Sequence, residues 1–213
     1  MPLKRDLALA AVIGIAVGLL VQPVLYNFSH DPSGIIGDYS AAVRIIIFLV
    51  VAIGAPVALA ICGFLSRFWK PFYQIGKFAS VGVLNTFVDF GVLNLLIAVG
   101  GGLFMGMAGF AFPIMKAISF IFATLNSYFW NKHWTFQSKS ATTFAQTVKF
   151  YAVAFIAFLA NVGIAAFVVN LMSDGSGIIS TLWANVGALL GIVISLFINF
   201  LGYKFFVFTD KRR

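Results

Sequence analysis

The stretch NSYFWNKHWTF, residues 126–136, decides how this chain is organised, because a degraded copy of it, NFLGYKFFVF, occupies residues 199–208. Two hydrophobic stretches precede each copy, and each pair of stretches begins with Lys-Phe, at residues 77–78 and 149–150. The offset between the halves is therefore 149 − 77 = 72 residues. It also relates Asp89 to Asn161, Lys132 to Lys204 and Phe136 to Phe208. A duplicated membrane hairpin with polar groups at matched depths predicts a site built between two halves, as in many transporters.

The composition of the chain is that of a membrane protein. Of the 213 residues, 62% are hydrophobic and 9% charged, and the mean hydropathy is +1.03, far from the values of soluble domains. A helix needs about 20 apolar residues to cross a bilayer, and six segments qualify: residues 7–27, 44–66, 78–99, 113–131, 150–171 and 179–203. The sequence predicts an all-α integral membrane protein with six transmembrane helices, the last four forming two hairpins related as a parallel repeat.

The basic residues predict the orientation of these spans. Of the 14 Lys and Arg residues, all except Arg44 and Lys116 fall on one side of a six-span arrangement. The positive-inside rule therefore places both termini in the cytoplasm, with the chain in the plasma (inner) membrane. The first segment is too long for the core of a signal peptide, and Gln22-Pro23 is a poor cleavage site, so we retain it as a span.

Several function classes find little support in the sequence. The net charge of +8 comes from basic residues at helix ends, as in any multi-pass protein, so it does not indicate nucleic-acid binding. Cys62 is the single cysteine, and His30 and His133 fall on opposite sides of the membrane. Glutamate is absent, and no Ser-His-Asp grouping or carboxylate pair lies on one side. We expect no catalytic residues, no metal site and no cofactor, and therefore no enzyme.

The chain divides at about residue 70. Residues 1–70 form a two-helix N-terminal extension, and residues 71–213 form a four-helix domain with repeats at about 77–136 and 149–208. Pro71 marks the boundary, since proline discourages continuation of the preceding helix. Between the hairpins, residues 138–149 could form a short interfacial helix. Two GxxxG patterns, at residues 14–18 and 187–191, indicate close helix packing or dimerisation.

Polar residues inside the spans are the candidate functional groups. Asp89 lies near the middle of the third span, where an exposed carboxylate costs roughly 2.5–3.5 kcal/mol. It should therefore be protonated, paired with a base or open to a water-filled cleft. Asn85 lies one turn before Asp89, and Asn161 lies at the matched depth in the second half. Two interpretations stay open: these groups join helices by hydrogen bonds, or they line a transport path.

Further candidates lie near the ends of the fourth and sixth spans. Lys116 could snorkel to the outer surface, bind a phosphate or pair with Asp89. Near the cytoplasmic ends, amides and lysines alternate with aromatic residues: Asn126, Asn131, Lys132, Asn199 and Lys204. This pattern could hold a sugar and a lipid phosphate at the headgroup level. It is also typical of an interfacial belt of aromatic and basic anchors.

Two motifs carry a family resemblance. KFASVGVLNTFVDF, residues 77–90, and ATLNSYFWNKHWTF, residues 123–136, resemble the GtrA family of small four-span membrane proteins, and the closing YKFFVF, residues 203–208, is similar to the family's final helix. The resemblance covers about residues 72–208. The first two spans depart from the four-span pattern.

The resemblance implies a role in cell-surface polysaccharide synthesis, including O-antigen modification. Members are thought to translocate polyprenyl-phosphate-linked monosaccharides, such as undecaprenyl-phosphate glucose, from the cytoplasmic to the outer leaflet, alongside membrane glycosyltransferases that make and use the lipid. In such a flippase Lys132 and Lys204, with Lys77 or Lys149, would collect the anionic headgroup. The asparagines and Asp89 would then exchange hydrogen bonds with the sugar, and Lys116 or Arg44 would receive the phosphate on the outer side.

Two alternatives remain open at this point. The chain could anchor a glycosyltransferase without transporting anything, or it could be a small-molecule exporter resembling the small multidrug transporters. A groove between the subunits of a homo-oligomer is as compatible with these residues as a groove within one chain.

Overall fold

The computed structural model describes residues 4–29, 39–103, 111–172 and 181–209. They form six α-helices, two of which continue into a π-helical turn. The helices are α1 (Lys4–Ser29), α2 (Ala41–Leu65), α3 (Pro71–Leu103), α4 (Ala111–Trp130), α5 (Phe144–Leu171) and α6 (Thr181–Gly202). The first π-helical turn (Asn131–Thr135) follows α4 and the second (Tyr203–Val207) follows α6.

This architecture confirms an all-helical, multi-pass membrane protein. Within the described residues, five helical segments are long and apolar enough to cross a bilayer: Lys4–Leu25, Ala41–Leu65, Pro71–Leu96, Phe144–Leu171 and Val186–Val207. Helix α4 is not among them, because its polar side chains, including Lys116 and Asn126, lower its hydropathy. Six helices therefore lie where six spans are predicted, and the crossing by α4 remains a prediction.

The helices that open the two hairpins begin earlier than the hydropathy pattern indicates. Pro71 is the first residue of α3, a position that suits proline because its missing N–H would have no partner there. Helix α5 begins at Phe144. Thr143 caps its N-terminus, because Thr143 Oγ1 accepts a hydrogen bond from Gln146 N. The predicted separate helix at 138–149 is therefore wrong, since its second half is the start of α5. The six-span arrangement places Asp31, Asp38 and Asp174 on the outer side, and these three residues lie outside the described residues.

The chain forms two compact units, residues 1–137 and residues 138–213. The first contains α1 to α4, and its buried core joins α1, α2, α3 and the first π-helical turn through Ile13, Leu59, Leu84 and Trp134. The second contains α5, α6 and the second π-helical turn. In the first unit, α1 and α2 pack directly on α3. The functional division at about residue 70 remains a prediction.

Both GxxxG patterns lie where two helices of one unit approach closely. A Cβ atom on Gly14 would lie 2.6 Å from the carbonyl oxygen of Ala52 in α2. A Cβ atom on Gly191 would lie 2.5 Å from the carbonyl oxygen of Asn161 in α5. Only glycine allows these backbone contacts, so the two patterns serve packing within the chain.

We expect Gly14→Ala to destabilise the protein by about 1–3 kcal/mol, because the added methyl group would force α1 away from α2. Gly54→Ala is the matched control, since a Cβ atom there would meet no described atom within 4 Å. Unfolding by SDS titration in mixed micelles measures both free energies. Equal midpoints for the two variants would contradict the close contact at Gly14.

Candidate functional site

The sequence repeat is also a structural repeat, and it centres on the two π-helical turns. The turns occupy residues 131–135 and 203–207, which differ by the 72-residue offset of the sequence. Each closes with the same backbone hydrogen bond. Phe136 N donates to Asn131 O at 2.8 Å, and Phe208 N donates to Tyr203 O at 2.8 Å. Such turns are rare and occur frequently at functional sites.

One glutamine in each half ties its π-helical turn to the opening helix of the hairpin. Gln74 Nε2 donates to Thr135 O at 3.2 Å, and Gln146 Nε2 donates to Val207 O at 3.1 Å. These glutamines lie N-terminal to the Lys-Phe pairs, in the first turns of α3 and α5, which the hydropathy pattern left out of the predicted spans. They were not among the predicted site residues. The 72-residue offset between Gln74 and Gln146 is the signal that could have found them.

An aromatic contact repeats beside this hydrogen bond. The ring centres of Phe78 and Phe136 are 6.3 Å apart at an interplanar angle of 56°. The rings of Phe150 and Phe208, their counterparts, are 6.1 Å apart at 57°. Each hairpin therefore holds its π-helical turn in the same way.

The two matched lysines lie within these turns. Lys132 Nζ lies 5.8 Å from the ring centre of Tyr128, and Lys204 Nζ lies 5.5 Å from that of Phe200. Both rings lie four residues before their lysine, at the distance of a cation–π contact. Lys132 is only 2% exposed, whereas Lys204 is half-buried. Of the two ammonium groups, that of Lys204 is therefore the more accessible.

Asp89 is paired with a base, one of the three predicted possibilities. Lys116 Nζ of α4 forms an ion pair with Asp89 Oδ2 of α3. Ser119 Oγ, one turn further along α4, donates to Asp89 Oδ1 at 2.6 Å. The side chains of Lys116 and Asp89 are 42% and 21% exposed, so the pair is open at one side. The sequence pointed to Lys116 and Asp89 but not to Ser119.

In the second half, the position of Asp89 is occupied by a neutral contact. Asn161 Nδ2 donates to Ser195 Oγ at 3.4 Å, which joins α5 to α6. The counterparts of Lys116 and Ser119 are Ala188 and Gly191, so no charge pair can form there. The repeat therefore preserves the hairpin but places the intramembrane charges in the first half.

Several predicted amides carry a buried polar atom with no hydrogen-bond partner among the described residues. These atoms are Asn85 Oδ1, Asn126 Nδ2, Asn131 Oδ1 and Asn199 Oδ1. The other polar side-chain atom of Asn131, Nδ2, donates to Ser127 Oγ at 3.2 Å. Thr135 Oγ1, in the same turn, is also buried without a partner. Unpaired buried polar atoms are costly, so these amides retain an unused capacity to bind polar groups.

Lys77 occupies a buried network with groups that the sequence did not point to. Its Nζ lies 2.6 Å from Asp6 Oδ2, and both side chains are 4% exposed. Asp6 also accepts hydrogen bonds from Tyr73 Oη at 2.6 Å and Trp134 Nε1 at 3.0 Å. Lys77 Nζ lies over the Tyr73 ring, 4.7 Å from its centre. The ammonium is therefore neutralised by α1, which leaves it little capacity for a lipid phosphate.

The other two predicted phosphate ligands lie on the surface of their units. Arg44 is exposed at the start of α2, with its guanidinium 5.7 Å from the ring centre of Tyr39. Lys149 is exposed on the first turns of α5. Among the described residues, no group of three His, Cys, Asp or Glu side chains could hold a metal ion.

Comparison with known proteins places the repeated hairpins in a family. Residues 77–208 match the model of the GtrA/DPMS transmembrane domain. The chain belongs to this family. A membrane protein of Bacillus subtilis (strain 168), YngA, described as uncharacterized, is 30% identical over 139 residues, which cover 64% of this chain and 80% of that protein. No solved structure matches the chain. Asp6 lies outside the matched GtrA/DPMS domain, although its partner Lys77 is the first matched residue.

We expect removal of either charge of the buried pair to cost about 3–5 kcal/mol, because the remaining charge would be left without its partner. Asp6→Asn and Lys77→Met should therefore each lower the free energy of unfolding strongly. The double variant should recover part of that loss, because no unpaired charge remains. SDS titration of the four proteins measures the coupling, and strictly additive losses would contradict the pairing.

Proposed function

We propose that this chain is a flippase that moves a polyprenyl-phosphate-linked monosaccharide, such as undecaprenyl-phosphate glucose, from the cytoplasmic to the outer leaflet. In this proposal it lies in the plasma (inner) membrane with both termini in the cytoplasm, and a membrane glycosyltransferase supplies or uses the lipid. Membership of the GtrA/DPMS family supports a membrane protein of this general kind.

The observation that carries the proposal is the open charge pair between Asp89 and Lys116. A salt bridge that only joined two helices would be sealed from lipid, since charges facing hydrocarbon are costly. This pair is instead partly exposed, and Ser119 completes a set of a carboxylate, an ammonium and a hydroxyl. Such a set can exchange its internal contacts for those of a phosphate and a sugar. An anionic phosphate would compete with Asp89 for Lys116.

Unpaired amides extend this polar set along the same hairpin. Asn85 lies one turn from Asp89 on α3, and Asn126 lies two turns from Ser119 on α4. Asn85 Oδ1 can accept a hydrogen bond from a sugar hydroxyl, and Asn126 Nδ2 can donate one. A sugar that leaves water needs such replacement partners at each depth, because an unpaired hydroxyl in hydrocarbon is costly.

In each unit, the lysine of the π-helical turn is a proposed contact for the headgroup. Lys204 is half-buried and is the more accessible of the two lysines, whereas its counterpart Lys132 is buried. Asn131 and Asn199 flank them with unpaired amide oxygens. Arg44 is proposed to receive the phosphate at the outer end of α2. Lys77 is left out of this path because Asp6 neutralises it.

Asp89→Asn should reduce transport by at least about tenfold while the protein remains folded in the membrane, because Lys116 would bind the phosphate without a competing carboxylate to release it. The measurement is efflux of a short-chain, radiolabelled prenyl-phosphoryl hexose from proteoliposomes. Thr86→Val on the same helix is the control, since Thr86 is exposed and its Oγ1 donates to the carbonyl oxygen of Gly82 within its own helix. Normal transport by the Asp89 variant would rule out a central role for this residue.

Native mass spectrometry of gently extracted protein should show bound polyprenyl phosphate or its glycosylated form. Lys204→Ala and Lys132→Ala should each lose most of this lipid, because the phosphate would lack its ammonium partner. Lys70→Ala, at an exposed lysine, should keep it. A retained glycosyltransferase with no polyprenyl lipid in any sample would favour a scaffold over a flippase. Resistance to cationic dyes conferred by expression would favour an exporter.

A further inference from the structure

Helix α1 packs along α3 in parallel, and three pairs at seven-residue intervals define the contact. Asp6 pairs with Lys77 at 2.6 Å. Seven residues further along each helix, Ile13 and Leu84 are buried in the same core. After another seven residues, Leu20 lies against Gly91, where an added Cβ atom would be 3.0 Å from Leu20 Cδ2. A repeat of seven keeps one face of a helix toward its neighbour.

The equivalent face of α5 is exposed in the described part of the chain. The 72-residue offset places Lys149, Ile156 and Gly163 where α3 has Lys77, Leu84 and Gly91. Leu84 is 4% exposed, whereas Ile156 is 56% exposed. Lys149 is exposed and has no ion-pair partner in the described part of the chain. No described atom would lie within 4 Å of a Cβ atom on Gly163.

The second π-helical turn shows the same contrast. Trp134, which donates to Asp6 in the first unit, is 3% exposed. Its counterpart Phe206 is 70% exposed. The exposed positions are therefore Lys149, Ile156 and Gly163 of α5, together with Phe206 of the second π-helical turn. We call these four residues the open α5 face.

We propose that the open α5 face binds a transmembrane helix of a partner protein that carries a carboxylate near its cytoplasmic end and aliphatic residues seven and fourteen positions further on. The first half of the chain shows how such a helix docks, because α1 presents Asp6, Ile13 and Leu20 at this spacing. Lys149 supplies the complementary charge. Gly163 leaves room for close approach of the partner's backbone or a leucine.

A second copy of this chain fits the face poorly. Two α5 faces related by a twofold axis would bring two Lys149 ammonium groups together. The α1 helix of a second copy has the right spacing, but its Asp6 is already buried against Lys77 of its own chain. Moving Asp6 to another molecule would leave the Lys77 ammonium buried without a partner. Of the other carboxylates, Asp89 is paired with Lys116. The six-span arrangement places Asp31, Asp38 and Asp174 on the outer side, away from Lys149, and Asp210 is followed by Lys-Arg-Arg rather than by an apolar segment. The occupant is therefore a different protein.

The partner helix should bind reversibly. Tyr73 and Trp134, which donate hydrogen bonds to Asp6, are replaced by Ala145 and Phe206 in the second half. Of the three groups that bind Asp6, Lys77 alone has a counterpart, Lys149, that can bind a carboxylate. A carboxylate held by one exposed ammonium is bound far more weakly than one held by a buried ammonium and two donors. This proposal does not depend on whether the chain moves a lipid.

The test uses full-length protein in zwitterionic vesicles and a synthetic transmembrane peptide of leucine and alanine as the probe. The peptide carries Asp, Ile and Leu at the spacing of residues 6, 13 and 20 and a photoreactive diazirine-leucine beside the Ile. The yield and the position of the photocrosslink are read by gel and mass spectrometry. We expect crosslinks on α5, and an Asn peptide should give about fivefold less product at limiting peptide.

Variants of the protein then locate the contact. Lys149→Ala should reduce crosslinking of the Asp peptide to the level of the Asn peptide, and Gly163→Leu should reduce it by filling the groove. Lys70→Ala, at an exposed lysine of the first unit, should leave it unchanged. Lys149→Asp should restore binding to a peptide that carries Lys in place of Asp.

Several results would overturn the proposal. Equal yields for the Asp and Asn peptides would show that the carboxylate is not recognised. Crosslinks on helices other than α5 would show that the face is elsewhere, and protein dimers that exclude the peptide would show that a second copy occupies it. Loss of Asp-peptide binding on addition of anionic lipid would show that Lys149 serves the membrane surface.

Discussion

The carboxylate of Asp6 is the interaction on which the first unit depends. It accepts from Lys77, Tyr73 and Trp134, which belong to α3 and to the first π-helical turn, while Asp6 itself belongs to α1. The side chains of Asp6 and Lys77 are both buried inside the protein, so each charge needs its partner there. This requirement sets the register of α1 on α3, and with it the position of Ile13 and Leu20. The N-terminal extension is therefore part of the packing of the first hairpin.

The two hairpins share a backbone device and differ in their charges. In both, a glutamine near the start of the first helix binds the last carbonyl oxygen of the π-helical turn, and two phenylalanines pack beside it. These contacts hold the π-helical turn that carries Lys132 in the first half and Lys204 in the second. The first half adds two ion pairs, Asp6 with Lys77 and Asp89 with Lys116. The second half has a neutral Asn161–Ser195 contact instead.

The two ion pairs of the first half differ in how accessible they are. The pair between Lys77 and Asp6 is buried, and two further donors, Tyr73 and Trp134, also bind Asp6. The pair at Lys116 is partly exposed and lies among amides with unpaired atoms. We propose that an anionic headgroup competes for the second kind of site but not for the first. The proposed contacts within the first unit are therefore Asn126, Asn85 and Lys116, without Lys77.

The amino-acid sequence was sufficient for the class of protein, the six helices, the repeat and the positions of the matched lysines. These properties depend on composition and on spacing along the chain, which are local. The starts of α3 and α5 were not predicted, because the apolar segments read from the sequence begin only at residues 78 and 150. Which groups meet was decided by the packing of the helices. Asp6 and Trp134 are 128 residues apart, and no periodicity in the sequence brings them together. Hydropathy shows that Asp89 needs a partner, but only the contact between α3 and α4 shows that the partner is Lys116, because pairing depends on the rotation and depth of both helices.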